Sequence, residues 1–325
     1  MSAPVRVGVL GCADIAWRRM LPAIVAEPRT RLVAVAGRNA AKARRFTDRF
    51  GGEPVEGYEA LLARTDLDAV YIPLPTGLHA RWAVEALRRG LHVLVEKTLA
   101  TSRAEAVEML GTARGAGLCL MENLMFVHHR QHEEVRRLVA KGEIGQVRSL
   151  SAAFGIPPLP AGDIRHRADL GGGALLDVGV YPLRAARLLL GPRLEPVGAV
   201  SRIDPALGVD VAGHVLLTTP DGVTAELSFG FEHAYRCCYA LWGSAGRIFL
   251  DRAFTPPPTH RPVVRLEKQD LVQEVTLPAD DQYGAVVRGF AAAVLDGVPP
   301  RDGAEELLAM ADLVDRVRAC ARVIR

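Results

Sequence analysis

Val5-Arg6-Val7-Gly8-Val9-Leu10-Gly11-Cys12-Ala13-Asp14-Ile15-Ala16 is the stretch on which the fold turns. A short apolar run breaks on glycine and passes, with Asp14 as an expected N-cap, into helical spacing from Ile15 to Ala26. Small residues after a strand let the backbone approach a pyrophosphate, which is favoured where the next helix presents its free N–H groups. The G-x-G-x-x-G/A pattern reads here as Gly11 to Ala16, with Ala13 in the second glycine position. That substitution requires a backbone conformation alanine tolerates. Placed between a strand and a helix, the stretch predicts dinucleotide binding.

The alternation continues outward from this turn. Apolar runs at Arg31–Ala36, Ala69–Ile72, Leu91–Glu96 and Leu118–Met121 are separated by helical segments, among them Tyr58–Leu62, Leu78–Arg89 and Ser102–Arg114. Repeated β-α units of this length predict a doubly wound parallel sheet of the Rossmann kind. After Asn123 the character changes. A helix is expected from His132 to Ala140 and a proline- and glycine-rich loop over 156–173. Strands are expected from Val197 to Leu250, with Pro220-Asp221-Gly222 as a hairpin turn, and two helices follow, near Tyr283–Leu295 and Ala304–Ala321. The expected division is a dinucleotide-binding domain over 1–122 and a second domain over 123–325. The second is an α+β domain on a largely antiparallel open sheet. Pairing two such open faces would make a homodimer or a homotetramer.

Composition narrows the function. With 325 residues, 49% hydrophobic, the chain suffices for two well-buried domains. A net charge of +3 makes no case for nucleic acid. No apolar run approaches the ~20 residues that cross a bilayer, and no signal peptide precedes the first strand after Met1-Ser2-Ala3-Pro4. Five scattered cysteines without a C-x-x-C pair point to a reducing cytoplasm. His128 and His132 are four apart, but with no glutamate between them and no third ligand they do not make a metal site.

The end of the second strand, Ala36-Gly37-Arg38-Asn39, lacks the carboxylate that holds an NAD ribose. Arg38 instead suits a 2′-phosphate, which predicts NADPH, the alternative being a solvated arginine. Ile72-Pro73-Leu74-Pro75-Thr76-Gly77-Leu78-His79 ends the next strand at the same sheet edge, where backbone groups can line the cofactor and His79 can face it or cap a helix. At the end of the fourth apolar run stands Glu96-Lys97-Thr98. Lysine is rare here, four among forty Lys+Arg residues, and unlike arginine it can act as a proton donor.

The N-terminal glycine turn, Pro75-Thr76-Gly77-Leu78-His79, Glu96-Lys97 and Gly171-Gly172-Gly173-Ala174-Leu175-Leu176-Asp177-Val178-Gly179 together resemble the glucose–fructose oxidoreductase / inositol dehydrogenase superfamily over essentially the whole chain. Thr98 stands where its Glu-Lys tripeptide usually has proline, and Tyr181 where many members have histidine. Gly11 to Arg19 and Val180-Tyr181-Pro182 look like the nucleotide-sugar 3-ketoreductases of deoxysugar biosynthesis.

That resemblance implies NADPH-dependent reduction of the C-3 ketone of a thymidine-diphospho 3-keto-6-deoxyhexose. Lys97 would be the proton donor and Tyr181 the assisting group. Asp177 and Tyr181, four apart, are expected to share one helix face, with Pro182 in the first turn. The cofactor set is Gly11, Cys12, Ala13, Asp14, Ile15, Ala16, Trp17, Arg18, Gly37, Arg38, Tyr58, Leu74, His79, Glu96, Lys97, Arg165 and Asp177. The substrate set is Lys97, Arg165, Asp177 and Tyr181, with Arg165 a partner for a diphosphate. Two other activities remain open: a dehydrogenase of free sugars, inositols or dihydrodiols, and a non-catalytic dinucleotide sensor.

Overall fold

Strand β1 (Val5–Leu10) lies at the centre of a six-stranded parallel sheet in the order β3-β2-β1-β4-β5-β6, with β2 (Thr30–Gly37), β3 (Glu53–Glu56), β4 (Ala69–Ile72), β5 (His92–Glu96) and β6 (Leu120–Asn123). The order reverses beside β1, so the sheet is doubly wound with its switch point next to the glycine turn. The structure, a computed structural model, describes residues 3–325. Val7, Val9, Val70, Ile72, Val93 and Val95 are buried on both faces, as continuous apolar strands of a parallel sheet must be. The helices of this sheet are α1 (Leu21–Ala26), α2 (Ala40–Phe50), α3 (Tyr58–Leu62), α4 (His79–Arg88) and α5 (Arg103–Ala116). Asn39 caps α2, its Oδ1 accepting from the N–H groups of Ala41 (2.8 Å) and Lys42 (3.3 Å).

The second sheet has nine strands in the order β14-β13-β12-β11-β7-β10-β9-β8-β15. They are β7 (Val147–Gly155), β8 (Glu195–Asp204), β9 (Val209–Thr218), β10 (Thr224–Gly230), β11 (Arg236–Gly243), β12 (Arg247–Leu250), β13 (Val263–Lys268), β14 (Leu271–Thr276) and β15 (Ala321–Ile324). Only β7–β10 and β8–β15 pair in parallel; the rest is antiparallel. Besides α6 (Gln131–Ala140), this part holds α7 (Val180–Leu190), which packs on β7 and β10. On the opposite face Val200, Leu216 and Trp242 are exposed, Trp242 to 65%.

The chain divides into two compact units. The first takes in the chain up to Met125 together with Tyr283–Leu308, and the second Phe126–Gln282 together with Ala309–Arg325. A second domain running unbroken from 123 to 325 therefore differs from this division. Nearly all of α8 (Gln282–Asp296) returns to the first unit, where Arg29 pairs with Asp296 at 2.7 Å and Arg19 stacks on the Tyr283 ring. The last helix, α9 (Ala304–Cys320), leads back to edge strand β15. Four strands went unread in the sequence, β3, β13, β14 and β15. β3, β14 and β15 are edge strands with mostly exposed side chains and carry no apolar pattern, and β13 buries only Val264 and Leu266.

Candidate active site

The glycine turn has the geometry a pyrophosphate needs. Gly11 donates its N–H to the Ala36 carbonyl at 3.0 Å and holds φ at +133°, which an L side chain rarely adopts. A Cβ there would stand 2.8 Å from Leu74 Cδ2, so the β1 and β4 ends approach as closely as glycine permits. Helix begins at once, the Trp17 N–H reaching the Ala13 carbonyl at 3.1 Å, with one widened turn over Ala16–Met20 before α1. Asp14 does not cap it. Its carboxylate lies inside the first turn and pairs with Arg18 at 2.6 Å, both exposed. The Trp17 ring is also taken up elsewhere. It packs edge-on against Phe46 (5.0 Å) and Phe50 (5.3 Å), with the Arg45 and Arg49 guanidinium groups over it at 4.8 and 4.5 Å.

At the end of β2, Gly37 lies close over Cys12, whose thiol is pushed up by burial and held down by the nearby Lys42 charge. The Arg38 charge acts on the Tyr58 phenol. Burial pushes that phenol up and Arg38 opposes it. Arg38, Lys42, Cys12 and Tyr58 thus form one cluster at the sheet edge, with two cations and no carboxylate.

Strand β5 delivers Glu96 and Lys97. The Glu96 carboxylate is buried, and Oε1 accepts from the Tyr71 hydroxyl and from Asn123 Nδ2, both at 2.6 Å. Burial pushes its pKa up, against the stabilising bonds from Tyr71 and Asn123 and the charge and backbone N–H of Lys97. Glu96 is therefore turned into the sheet and is an anchor for the peptide that carries Lys97. The next residues are pinned as well: the Leu99 N–H donates to Glu122 Oε1 at 2.6 Å, and the Thr98 carbonyl lies 2.8 Å from His79 Nδ1. His79 is fully buried with its other nitrogen 2.7 Å from the Leu74 carbonyl, so both ring nitrogens face backbone oxygens.

In the second unit, Arg165 Nε bonds Asp177 Oδ2 at 2.7 Å, and Arg165 Nη1 reaches Asp163 at 3.2 Å. The two carboxylates raise the Arg165 pKa further. Gly172 and Gly173 let this loop close. A Cβ on Gly172 would collide with the Arg165 carbonyl, and one on Gly173 with Asp210 Oδ1. Asp210 then accepts the Leu175 N–H at 2.6 Å, fixing the start of the helix. That helix begins earlier than expected, with a widened turn over Leu175–Gly179 running into α7. Pro182 follows this turn instead of lying in the first one; widening relaxes the backbone hydrogen bonding that proline cannot supply. Tyr181 is 3% exposed, its ring against Phe154 (5.0 Å), Phe126 (5.7 Å) and Phe254 (5.7 Å). His132 Nδ1 sits 2.9 Å from the Tyr239 hydroxyl. Among the described residues no group of three His, Cys, Asp or Glu side chains is placed to hold a metal, and no helix is long and apolar enough to cross a membrane.

Tyr71, Asn123, Glu122, Asp163 and Asp210 were missed in the sequence. Tyr71, Asn123 and Glu122 act through neighbouring strands and Asp210 through a helix start 35 residues away, none of which local spacing marks; Asp163 lies two residues before Arg165 and was within reach of local reading.

Known proteins align with both units. Residues 5–124 match the oxidoreductase family with an NAD-binding Rossmann fold, and residues 132–249 match the GFO/IDH/MocA C-terminal domain. The chain is 57% identical over 321 residues, 99% of its own length and 97% of the relative's, to a dTDP-3,4-didehydro-2,6-dideoxy-alpha-D-glucose 3-reductase of Actinomadura kijaniata. It is 54% identical over 324 residues, 99% and 98% of the two chains, to a protein of the same description from Streptomyces antibioticus. A crystal structure of a 3-ketoreductase from Actinomadura kijaniata, in complex with NADP and TDP-benzene, matches with a TM-score of 0.97 and 57% identity, covering 99% of each chain. The chain belongs to the GFO/IDH/MocA oxidoreductase family.

Proposed function

We propose that this protein is an NADPH-dependent ketoreductase that reduces the C-3 ketone of a dTDP-linked 3-keto-6-deoxyhexose. The observation that carries the reading is near-full-length identity, 57% over 321 residues, to a dTDP-sugar 3-reductase. The residues fit the cofactor: Gly11 leaves room at the switch point, and Arg38 with Lys42 offers cations where NAD enzymes place a carboxylate. Bound NADPH supplies a hydride to the carbonyl carbon. The alkoxide oxygen needs a proton, and Lys97 is assigned that donation as an ammonium group. Glu96, anchored by Tyr71 and Asn123, fixes the peptide from which the Lys97 side chain projects. Tyr181 is assigned to orienting the sugar, and Arg165, held by Asp177, to the diphosphate.

A reducing, cytoplasmic setting belongs to this reading, supported by five free cysteines. So does a homodimer or homotetramer, supported by the exposed Val200, Leu216 and Trp242 on one sheet face. The test is NADPH consumption with freshly generated dTDP-3-keto-6-deoxyhexose, with NADH and free ketoses in parallel. Turnover that requires the nucleotide and prefers NADPH is expected. Equal turnover of free ketoses, or tight NADPH binding without turnover, would overturn the reading.

A further inference from the structure

The His79 ring is an unusual hydrogen-bonding partner. It is fully buried, yet both of its nitrogens lie at hydrogen-bond distance from carbonyl oxygens, Nδ1 at 2.8 Å from Thr98 and Nε2 at 2.7 Å from Leu74. A carbonyl only accepts. A neutral imidazole has one N–H, so it can satisfy one of these oxygens and must turn a lone pair toward the other. An imidazolium satisfies both. The two carbonyls belong to the turns that flank the expected cofactor position. Leu74 is the residue that meets Gly11, and Thr98 directly follows Lys97.

We propose that His79 is a positioning residue that brackets the Leu74 turn to the Lys97–Thr98 turn, and that the number of protons on its ring decides whether one turn or both are held. Burial pushes the ring toward the neutral form; the backbone of Leu74, Thr98 and Leu99 favours the charged form, and the neighbouring Lys97 charge disfavours it. The ring therefore titrates below the ordinary histidine value. Above that titration two tautomers compete: Nδ1–H holds the turn after Lys97, and Nε2–H holds the turn beside Gly11. Below it both turns are fixed. The other charged group bound to this turn is Glu122, which takes the Leu99 N–H and holds its far side whatever the state of the ring.

The turnover readout rests on the reductase reading; the protonation readout does not. His79→Phe keeps a ring and loses both donors, and His79→Gln keeps a single donor nitrogen. In the full enzyme we expect His79→Phe to lower kcat about 10- to 100-fold with NADPH Kd changed less than about threefold, and His79→Gln to recover part of the loss. The ratio of wild-type to His79→Phe kcat should grow as pH falls through the depressed titration of the ring. A ratio independent of pH, or lost thermal stability with kcat unchanged, would overturn the proposal. Should the variants fail to fold, ¹⁵N NMR of histidine-labelled wild-type protein reads the ring directly. Two averaging tautomers at neutral pH and two protonated nitrogens at acid pH are expected; a single fixed tautomer without titration refutes the bracket. Absence of wild-type turnover would count against the reductase reading and leave the NMR test standing.

Discussion

Replacing Arg38 with alanine tests the cofactor assignment where the structure gives a magnitude. Arg38 directly follows β2, near enough to Tyr58 for its charge to act on the phenol. Asn39 takes the N–H groups of Ala41 and Lys42, so those first-turn donors of α2 are occupied. A 2′-phosphate would therefore depend on the guanidinium and on Lys42. Hydrogen bonds to a charged group contribute about 1.5–3 kcal/mol. Arg38 is exposed, so solvent screening puts its contribution at the lower end, about 1.5–2 kcal/mol. That corresponds to roughly 10- to 30-fold in affinity. The assay is initial-rate kinetics of Arg38→Ala with NADPH and NADH at fixed substrate. NADPH should lose that factor in kcat/KM and NADH less than about threefold, with the NADPH loss shrinking as salt is added. Tyr58→Phe should cost less, because it leaves the guanidinium charge in place. Equal losses for the two cofactors would refute the 2′-phosphate role.

Lys97→Ala should lower kcat by about 10²–10⁴ with NADPH affinity largely intact, and Tyr181→Phe should cost less; single-turnover rates rank the two, and the opposite order would reverse the roles. Tyr71→Phe takes one donor from a buried carboxylate and should destabilise the protein by about 1.5–3 kcal/mol in denaturant titration. It also carries a pH signature. Glu96 holds its proton more tightly folded than unfolded, so its contribution to stability falls as pH rises from the unfolded carboxylate value through the raised folded one. Losing the Tyr71 bond raises the folded value further, so the fall should be steeper in Tyr71→Phe. A parallel pair of stability–pH curves would contradict this. Trp242→Glu places a charge on the exposed sheet face and should shift the protein to monomer in sedimentation, with its circular dichroism unchanged.

Local spacing was enough for much of this molecule. The run from Val5 to Ala16 announces a strand, a close backbone approach and a helix start, because each rests on neighbours in the chain: apolar residues buried on both sheet faces, glycine where φ is +133°, and N–H groups exposed at the first turn. Lys97 was legible as well, since it follows directly on a buried strand. What surrounds it was not. Tyr71, Glu96 and Asn123 lie on β4, β5 and β6, and only the parallel order of those strands brings together side chains separated by 25 and 27 residues. The Arg165–Asp177 pair needed Gly172 and Gly173 to fold the loop back. Tyr181 reads as an active-site tyrosine from its motif, while the aromatic packing that orients its ring comes from Phe126, Phe154 and Phe254 on distant segments. The sequence by itself determined the alternating elements and the residue types at the strand ends. Tertiary structure decided which of those side chains, like Glu96 and His79, turn inward to hold the turns around them, because burial and hydrogen-bond partners are set by segments that meet only in the folded chain.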